Sequence, residues 1–385
     1  MKKIVGTIAA VALIAASAFA EVNVGMGFSR GFFTPIAYNG KDAMVDISTS
    51  WGNQPRIGAS ISAASEDCGV VADIKFDGGA VNVNDNAYIW CKPASWLKFT
   101  IGQTFDDTLR GNACFASWDW LRFGNIAGES FIFDRISANP DAGDYAPLVG
   151  SIIMLDPIEG LHIAVGIPVV GWNAGKTNAD GTPNPGNDNY YADKWENVAK
   201  KLQVQAGYTI ADVMQIKAQW IGRGEDAKKN LNGTIEAAVS LKAVENMTLD
   251  VGAKFRTDKD APFDINAFWS MGFDAFRVNV LAGVNLPTTS VEAAKVTTIT
   301  AGAGIAYDFG NGVGLEADVR YQQSFQKDVN TDPSIGFGAY LNKGIANGGV
   351  GFGFEGAMKT SIRDFAPNAK DDFIFAVPVR VQCFF

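Results

Sequence analysis

Apolar and polar residues alternate along most of this chain with a period of two. The last segment shows it best. Phe373, Phe375, Val377, Val379, Val381, Cys383 and Phe385 occupy one parity. Ile374, Ala376, Pro378, Arg380, Gln382 and Phe384 occupy the other, where polar groups are allowed. Strand side chains point alternately to opposite faces, so this pattern predicts a strand with one continuous apolar face. The same reading predicts strands over Val313–Gln323, Leu249–Arg256, Leu202–Ile210, Met214–Trp220, Ile235–Lys242, Phe276–Val284, Val70–Phe76 and Leu97–Gly102. Turn residues separate them at Gly52–Pro55, Asp77–Gly79, Pro93–Ser95, Ala211–Asp212 and Gly310–Gly312. Two connections are long, at about 105–147 and 171–200. The in–out parity of the first hundred residues is inconsistent. If Pro93–Ser95 is a turn at the short-turn end, a further strand is required near Ser29–Asn39.

The N-terminus departs from this pattern. Lys2 and Lys3 precede an apolar run from Ile4 to Ala16, followed by Ala18-Phe19-Ala20. This reads as a secretory signal peptide cleaved after Ala20, because the run is short of the roughly 20 residues that a spanning helix needs. After residue 20 no apolar run is long enough to cross a membrane as a helix. If the mature chain meets a membrane, it does so as a closed β-barrel, since only helices and closed barrels satisfy their backbone in lipid. Polar residues on one parity suit a wet lumen, although a soluble β-sandwich also alternates. The 365 residues after position 20, at roughly 20 to 23 per strand and connection, give about 16 to 18 strands. The expected fold is therefore an all-β, single-domain transmembrane antiparallel β-barrel over residues 21–385.

Composition narrows the function classes. The chain has 42 Gly without a Gly-X-Y period, so it is not collagen. A mean hydropathy of +0.04 excludes a polytopic helical membrane protein. A net charge of −9 offers no basic face for nucleic acid. The single His162 has no Gly-x-Ser-x-Gly elbow near it in sequence and reads as an isolated lumen residue. Gly351–Gly356 matches Gly-x-Gly-x-x-Gly but falls within an alternating strand, which removes the helix that a dinucleotide site needs. Cys68, Cys91, Cys114 and Cys383 lack metal-ligand spacing, and the pairing of the first three stays open. The loop Asn178–Asn189 is rich in oxygen ligands but lacks EF-hand spacing. No metal, cofactor or catalytic residue is expected.

Among nine Trp, Trp51, Trp90, Trp96, Trp220 and Trp269 lie near strand ends, as in an interfacial girdle. Trp118 and Trp120 instead sit in the long loop 105–147, where sugar stacking is the alternative. The same loop carries Asp106, Asp107, Arg110, Asp119, Arg122, Asp134 and Arg135. Its mixed charges suit a constriction folded into the lumen and suit a solvated external loop almost equally.

The export signal, the amphipathic strands and the terminal aromatic Phe385 resemble Gram-negative outer-membrane porins. Trp96–Gln103 followed by Asp106–Gly111 also looks like barrels from spirochaetes. The resemblance implies passive diffusion of small hydrophilic solutes and ions through the outer membrane, with outer-membrane lipids as surroundings. It implies that Phe373, Val377, Val379, Val381 and Phe385 form the signal read by the barrel-assembly machinery, and it allows a homotrimer. Pro378 departs from the family's pattern by removing a ladder donor.

Strand parity assigns Lys75, Lys98, Lys217, Lys242, Lys254, Arg256, Arg277, Arg320 and Arg380 to the lumen. It assigns Asp46, Asp73, Glu236, Asp250, Glu316 and Asp318 there too. A Lys or Arg facing lipid at the midplane costs about 2–4 kcal/mol, which enforces the inward assignment. The basic excess predicts near neutrality or weak anion preference. Two alternatives to a porin are a barrel displaying its loops as an adhesin or antigen, and an outer-membrane enzyme.

Overall fold

The computed structural model describes residues 21–25, 29–46, 57–77, 80–112, 132–137, 148–168, 195–225, 230–257, 263–289, 291, 295–329, 332–359 and 372–383. The alternating segments become strands β1 (Glu21–Gly25), β2 (Ser29–Tyr38), β3 (Ala43–Asp46), β4 (Ile57–Ala64), β5 (Cys68–Asp77), β6 (Ala80–Ala94), β7 (Leu97–Thr104), β8 (Leu148–Leu155), β9 (Leu161–Pro168) and β10 (Gln203–Ile210). They continue as β11 (Met214–Glu225), β12 (Leu231–Leu241), β13 (Met247–Arg256), β14 (Phe263–Phe273), β15 (Phe276–Leu286), β16 (Val296–Gly310), β17 (Val313–Gln326), β18 (Ser334–Ile345), β19 (Gly348–Lys359) and β20 (Phe373–Cys383). Among the described residues, a five-residue helix, α1 (Trp195–Ala199), lies in the second long connection. Among the described residues no helix is long and apolar enough to cross a membrane.

From β4 to β20 each strand pairs antiparallel with the next. β20 also pairs with β2, β2 with β3, and β1 with β4. The hydrogen-bonded ladder therefore ends at β3 on one side and β1 on the other. Only residues 26–28 separate β1 from β2, a gap that the chain spans with at most roughly 14 Å. A flat ladder of this width would measure about 85 Å at the usual strand spacing. The ends can meet only if the sheet curls round on itself, and the Gly58 amide donates to Ser29 Oγ across the seam at 3.4 Å. β1 and β2 run in one direction as two halves of a single stave, and β3 and β4 form the next. Counted this way the described strands make eighteen staves, an even number within the expected range.

The strand required near Ser29–Asn39 is β2. It shows no alternation because a bulge lies between Phe33 and Ile36. Phe33 and Ile36 both face outward, so the parity switches within the strand. Opposite this bulge, the β19–β20 register passes from Phe352↔Val379 directly to Glu355↔Ala376. Pro378, without an N–H, occupies that interruption. The expected turn at Gly52–Pro55 lies outside the described residues. The strands flanking it, β3 and β4, run in the same direction.

One face of each strand is apolar and open, the other enclosed. Ile101 is 67% exposed while its neighbour Thr100 is 1% exposed; Val319 is 48% exposed and Arg320 5%. At one end of the barrel the connections are short, such as 95–96, 211–213, 274–275 and 311–312. Asp212, Asp274 and Asn311 adopt positive φ there (56°, 50° and 52°), a conformation that short polar side chains tolerate in tight reversals. The start of β1 and the end of β20 lie at this end, and the long connections join strands at the other. Trp220 and Trp269 are on outward parity, but Trp90 is not. It pairs with Thr100 and Gly69 on the inner face, with Lys98 Nζ 5.4 Å and Lys92 Nζ 5.5 Å from its ring centre. Trp90 thus leaves the expected outer girdle, and Trp51 lies outside the described residues. Gly351–Gly356 lies within β19, between β18 and β20.

Candidate functional site

The first long connection turns into the barrel. Its described portions, Phe105–Asn112 and Ile132–Ser137, pair with each other through an Asp106↔Ile136 bridge and a Gly111 N to Phe133 O hydrogen bond of 2.9 Å. Four of their apolar side chains are fully buried: Leu109, Ile132, Phe133 and Ile136. Their partners are inward residues of the wall. Leu109, Ile132 and Phe133 cluster with Ala238 and Phe268, while Ile136 packs on Leu148, Ile152 and Ala164. Burying each such side chain contributes roughly 1.5–3 kcal/mol.

Two glycines make the approach possible. A Cβ at Gly207 on β10 would stand 2.5 Å from Leu109 Cδ2. One at Gly252 on β13 would collide with the Ile132 carbonyl oxygen.

Polar groups then fix the docked register. Gln205 Nε2 donates to Asp106 Oδ2 at 2.5 Å. Gln203 accepts from Ser137 N at 3.1 Å and donates back to its carbonyl. Glu236 Oε2 accepts from Asp134 N at 2.9 Å and from Gln219 Nε2 at 2.8 Å. Asp250 Oδ2 accepts from the Asn112 amide at 3.2 Å and its side chain at 2.5 Å. Lys254 Nζ reaches Asp134 Oδ1 at 2.7 Å and Glu236 Oε1 at 3.9 Å. Lys217 Nζ lies 5.6 Å from the Phe133 ring centre.

His162 is not isolated, contrary to the sequence reading. Its Nε2 is 3.0 Å from Asp106 Oδ2 and its Nδ1 is 2.8 Å from Asp156 Oδ1. With both carboxylates ionised each would accept from the ring, an arrangement that only the imidazolium form completes. Asp106 Oδ1 accepts further bonds from Thr108 N (3.0 Å) and Oγ1 (2.6 Å). Burial pushes the Asp106 carboxyl up, but the hydrogen bonds from His162 and Thr108 outweigh it and hold the group below its ordinary value.

The remaining sequence-selected residues fall into three groups. Lys75, Lys98, Arg256, Arg277, Glu316, Asp318, Arg320 and Arg380 lie on the inward parity of their strands. Arg320 bonds Asp318 at 3.1 Å, and Arg380 bonds Asn342 at 2.8 Å. Lys242 departs from the expectation. It is exposed in the turn after β12, which ends at Leu241 before the strand pattern does. Within the loop, Asp107 is exposed and joined to Arg135 (3.1 Å) and Arg110 (3.8 Å). Trp118, Asp119, Trp120, Arg122 and Phe385 lie outside the described residues. Phe373, Val377, Val379 and Val381 share the outward face of β20, where Phe373 and Phe375 stack beside Phe337 and Phe354.

Beside the docked portions of the loop a cavity opens among the described residues. The cavity there is bounded by Asn112 on the loop side and by Ser270, Arg277, Asn279 and Glu316 on the wall of β14 to β17. Sequence reading placed Gln203, Gln205 and Gln219 on the polar face but could not give them partners. It also passed over Asp264 and Glu355, both on inward positions.

No family model matches the sequence, and no curated protein is found to be related to it. Solved structures are similar in fold. The outer-membrane channel DcaP of Acinetobacter baumannii matches with 10% identity over 96% of this chain and 98% of that one, at a TM-score of 0.52. OmpT, an outer-membrane protein of Vibrio cholerae, matches with 12% identity over 95% of this chain and 98% of that one, at a TM-score of 0.48. The chain shares the antiparallel β-barrel fold of the DcaP outer-membrane channel.

Proposed function

We propose that this protein is an outer-membrane diffusion channel for small hydrophilic solutes and ions. The observation that carries the proposal is the loop folded inward and fastened to β9–β13 with open lumen beside it. An eighteen-stave barrel is too wide to be filled by its own wall side chains, so a loop, a plug or water must occupy it. The loop takes one side and sets the bore. Pore-lining charges then bias which ions enter. The residues proposed for that role are Lys75, Lys98, Arg256, Arg277, Glu316, Asp318, Arg320 and Arg380, with Asp107, Arg110 and Arg135 at the constriction.

The chain enters the membrane, in this reading, after cleavage behind Ala20, with the C-terminal strand read by the assembly machinery. Charges within about 8 Å of a permeating ion are felt at physiological salt. The docked loop brings Asp106 and Asp134 into the lumen, and Asp264 and Glu355 add acid that the parity count omitted. The proposed selectivity is therefore close to neutral. A catalytic reading finds no support at His162, because carboxylates occupy both ring nitrogens and leave none to serve as a base.

Planar-bilayer recording of the purified protein tests the proposal. A stable conductance with a reversal potential near zero in a KCl gradient is expected. A folded, heat-modifiable barrel that conducts nothing would overturn the channel reading and favour a display scaffold.

A further inference from the structure

Cys68 and Cys91 are 23 residues apart in sequence but directly opposite in the β5–β6 register. Both side chains are exposed free thiols, beside the short turns, on the outer surface of the barrel. Lys92 N donates to Asp67 O at 2.7 Å. In an antiparallel ladder that bond flanks the 68–91 position, which makes Cys68↔Cys91 a non-hydrogen-bonded pair. Such pairs bring Cα atoms to about 4.5 Å and side chains closest together, inside the roughly 4.4–6.8 Å range that a disulfide bridges. The two thiols open onto a surface hollow shared with Glu66, Asp67, Lys92 and Pro93. A water-borne oxidant can therefore reach them.

The same strands carry two interruptions of register. A bulge interrupts the β5–β6 pairing between Ala72 and Ile74, and another interrupts β6–β7 between Cys91 and Ala94. A slip of one residue would exchange the two faces of a strand. A covalent bond between directly opposed residues forbids that slip.

We propose that Cys68 and Cys91 are a modification site, joined in the mature barrel by a cross-strand disulfide that pins β5 to β6 between the two bulges. The bond forms by exchange with a disulfide oxidant outside the cytoplasm. One thiol, as thiolate, attacks the oxidant and releases one of its sulfurs as a thiol. The second thiolate then attacks the mixed disulfide and releases the other. Two electrons and two protons pass from the cysteines to the oxidant. Cys114 falls in the connection 105–147, outside the described residues, and is not part of the proposed pair.

The bond in cells rests on the outer-membrane reading, since such bonds persist only in an oxidising compartment. The test separates the two. Outer membranes are alkylated before lysis and digested without reductant, and the cysteine peptides are identified by mass spectrometry. The expected product is a peptide linking Cys68 to Cys91, lost in Cys68→Ser and Cys91→Ser and retained in Cys114→Ser. In parallel, the reduced barrel refolded in detergent is exposed to oxidised glutathione, which reports on the pairing whatever the compartment. Both cysteines alkylated in the membrane and still unlinked after glutathione treatment would overturn the proposal, as would linkage of either to Cys114. If the protein is absent from the outer-membrane fraction, the channel reading falls, and the refolded barrel alone decides the pairing.

Discussion

Along β10 to β13 the inward positions include Gln203, Gln205, Lys217, Gln219, Glu236, Asp250 and Lys254. All of these touch the loop or a group bound to it. Along β15 and β16 the inward positions are Arg277, Asn279, Leu281, Gly283, Asn285, Thr298, Thr300, Gly302, Gly304 and Ala306, more than half of them Gly, Ala or Thr, and Arg277, Asn279 and Ala306 border open lumen. Both arcs obey the same alternation, so period alone does not distinguish them. Side-chain length and hydrogen-bonding capacity do. Carboxamides and charges on long stems can hold another segment of backbone, whereas small residues leave the bore clear. Alternation says which face is inside, and composition within that face says whether it is occupied.

The largest test of this contrast is Lys254→Met. It leaves Glu236 and Asp134 buried without their cation, and breaking such a pair typically costs about 3–5 kcal/mol. The folded band in semi-native electrophoresis should unfold at a markedly lower temperature, and an unchanged transition would show that the crowded arc does not depend on this pair. Next comes Gly207→Leu, which drives a side chain into Leu109. Overpacking of this kind costs roughly 1–3 kcal/mol, and a penalty near 1.4 kcal/mol already shifts an equilibrium tenfold. A larger or noisier single-channel conductance is expected; a conductance equal to wild type would mean that the loop does not restrict the bore.

A third test uses acid. The Asp106 carboxyl titrates below its ordinary value in the folded protein. The linked stabilisation is therefore fully present above the unfolded value of about 3.9 and is lost as pH falls through the depressed folded value. Conductance should stay constant from pH 7 to pH 5 and change only below about pH 4, and Asp106→Asn should remove that step. A transition centred near pH 6 would point to another group. The smallest effect is expected for Asn279→Ala in the open arc. Its stability change should fall within about 0.5 kcal/mol, and a loss comparable to that of Lys254→Met would erase the distinction between the arcs.

The barrel itself was readable because most staves keep a strict period of two, as in Val313–Gln323 and Leu249–Arg256. Where a bulge switches parity inside a strand, as between Phe33 and Ile36, the signal cancels, and β2 could be inferred only from a gap. Trp90 was placed outside for a related reason: closeness to a strand end does not fix a face. The loop's docking was not legible, because its anchors lie far apart in sequence. Gln205 meets Asp106 across 99 residues and Asn112 meets Asp250 across 138. Nothing local marks a glutamine that will find a backbone partner, or Gly252 as a place where one will pass.

The pairing of β2 with β20 also sets an order of events. Ser29 faces Cys383, so the two strands that close the ring are almost the whole chain apart. The entropy of joining them rises only with the logarithm of that separation, about 0.6 kcal/mol for each doubling. Closure is thus hardly more costly at equilibrium than a much shorter join would be. In time it is different, for contacts so distant in sequence form late. The bonds from the loop to β10 and β13 span shorter stretches and belong to a sheet that is still open. Contact order alone therefore predicts that the bore is furnished before the cylinder shuts, an order that pulse labelling of the refolding barrel would check.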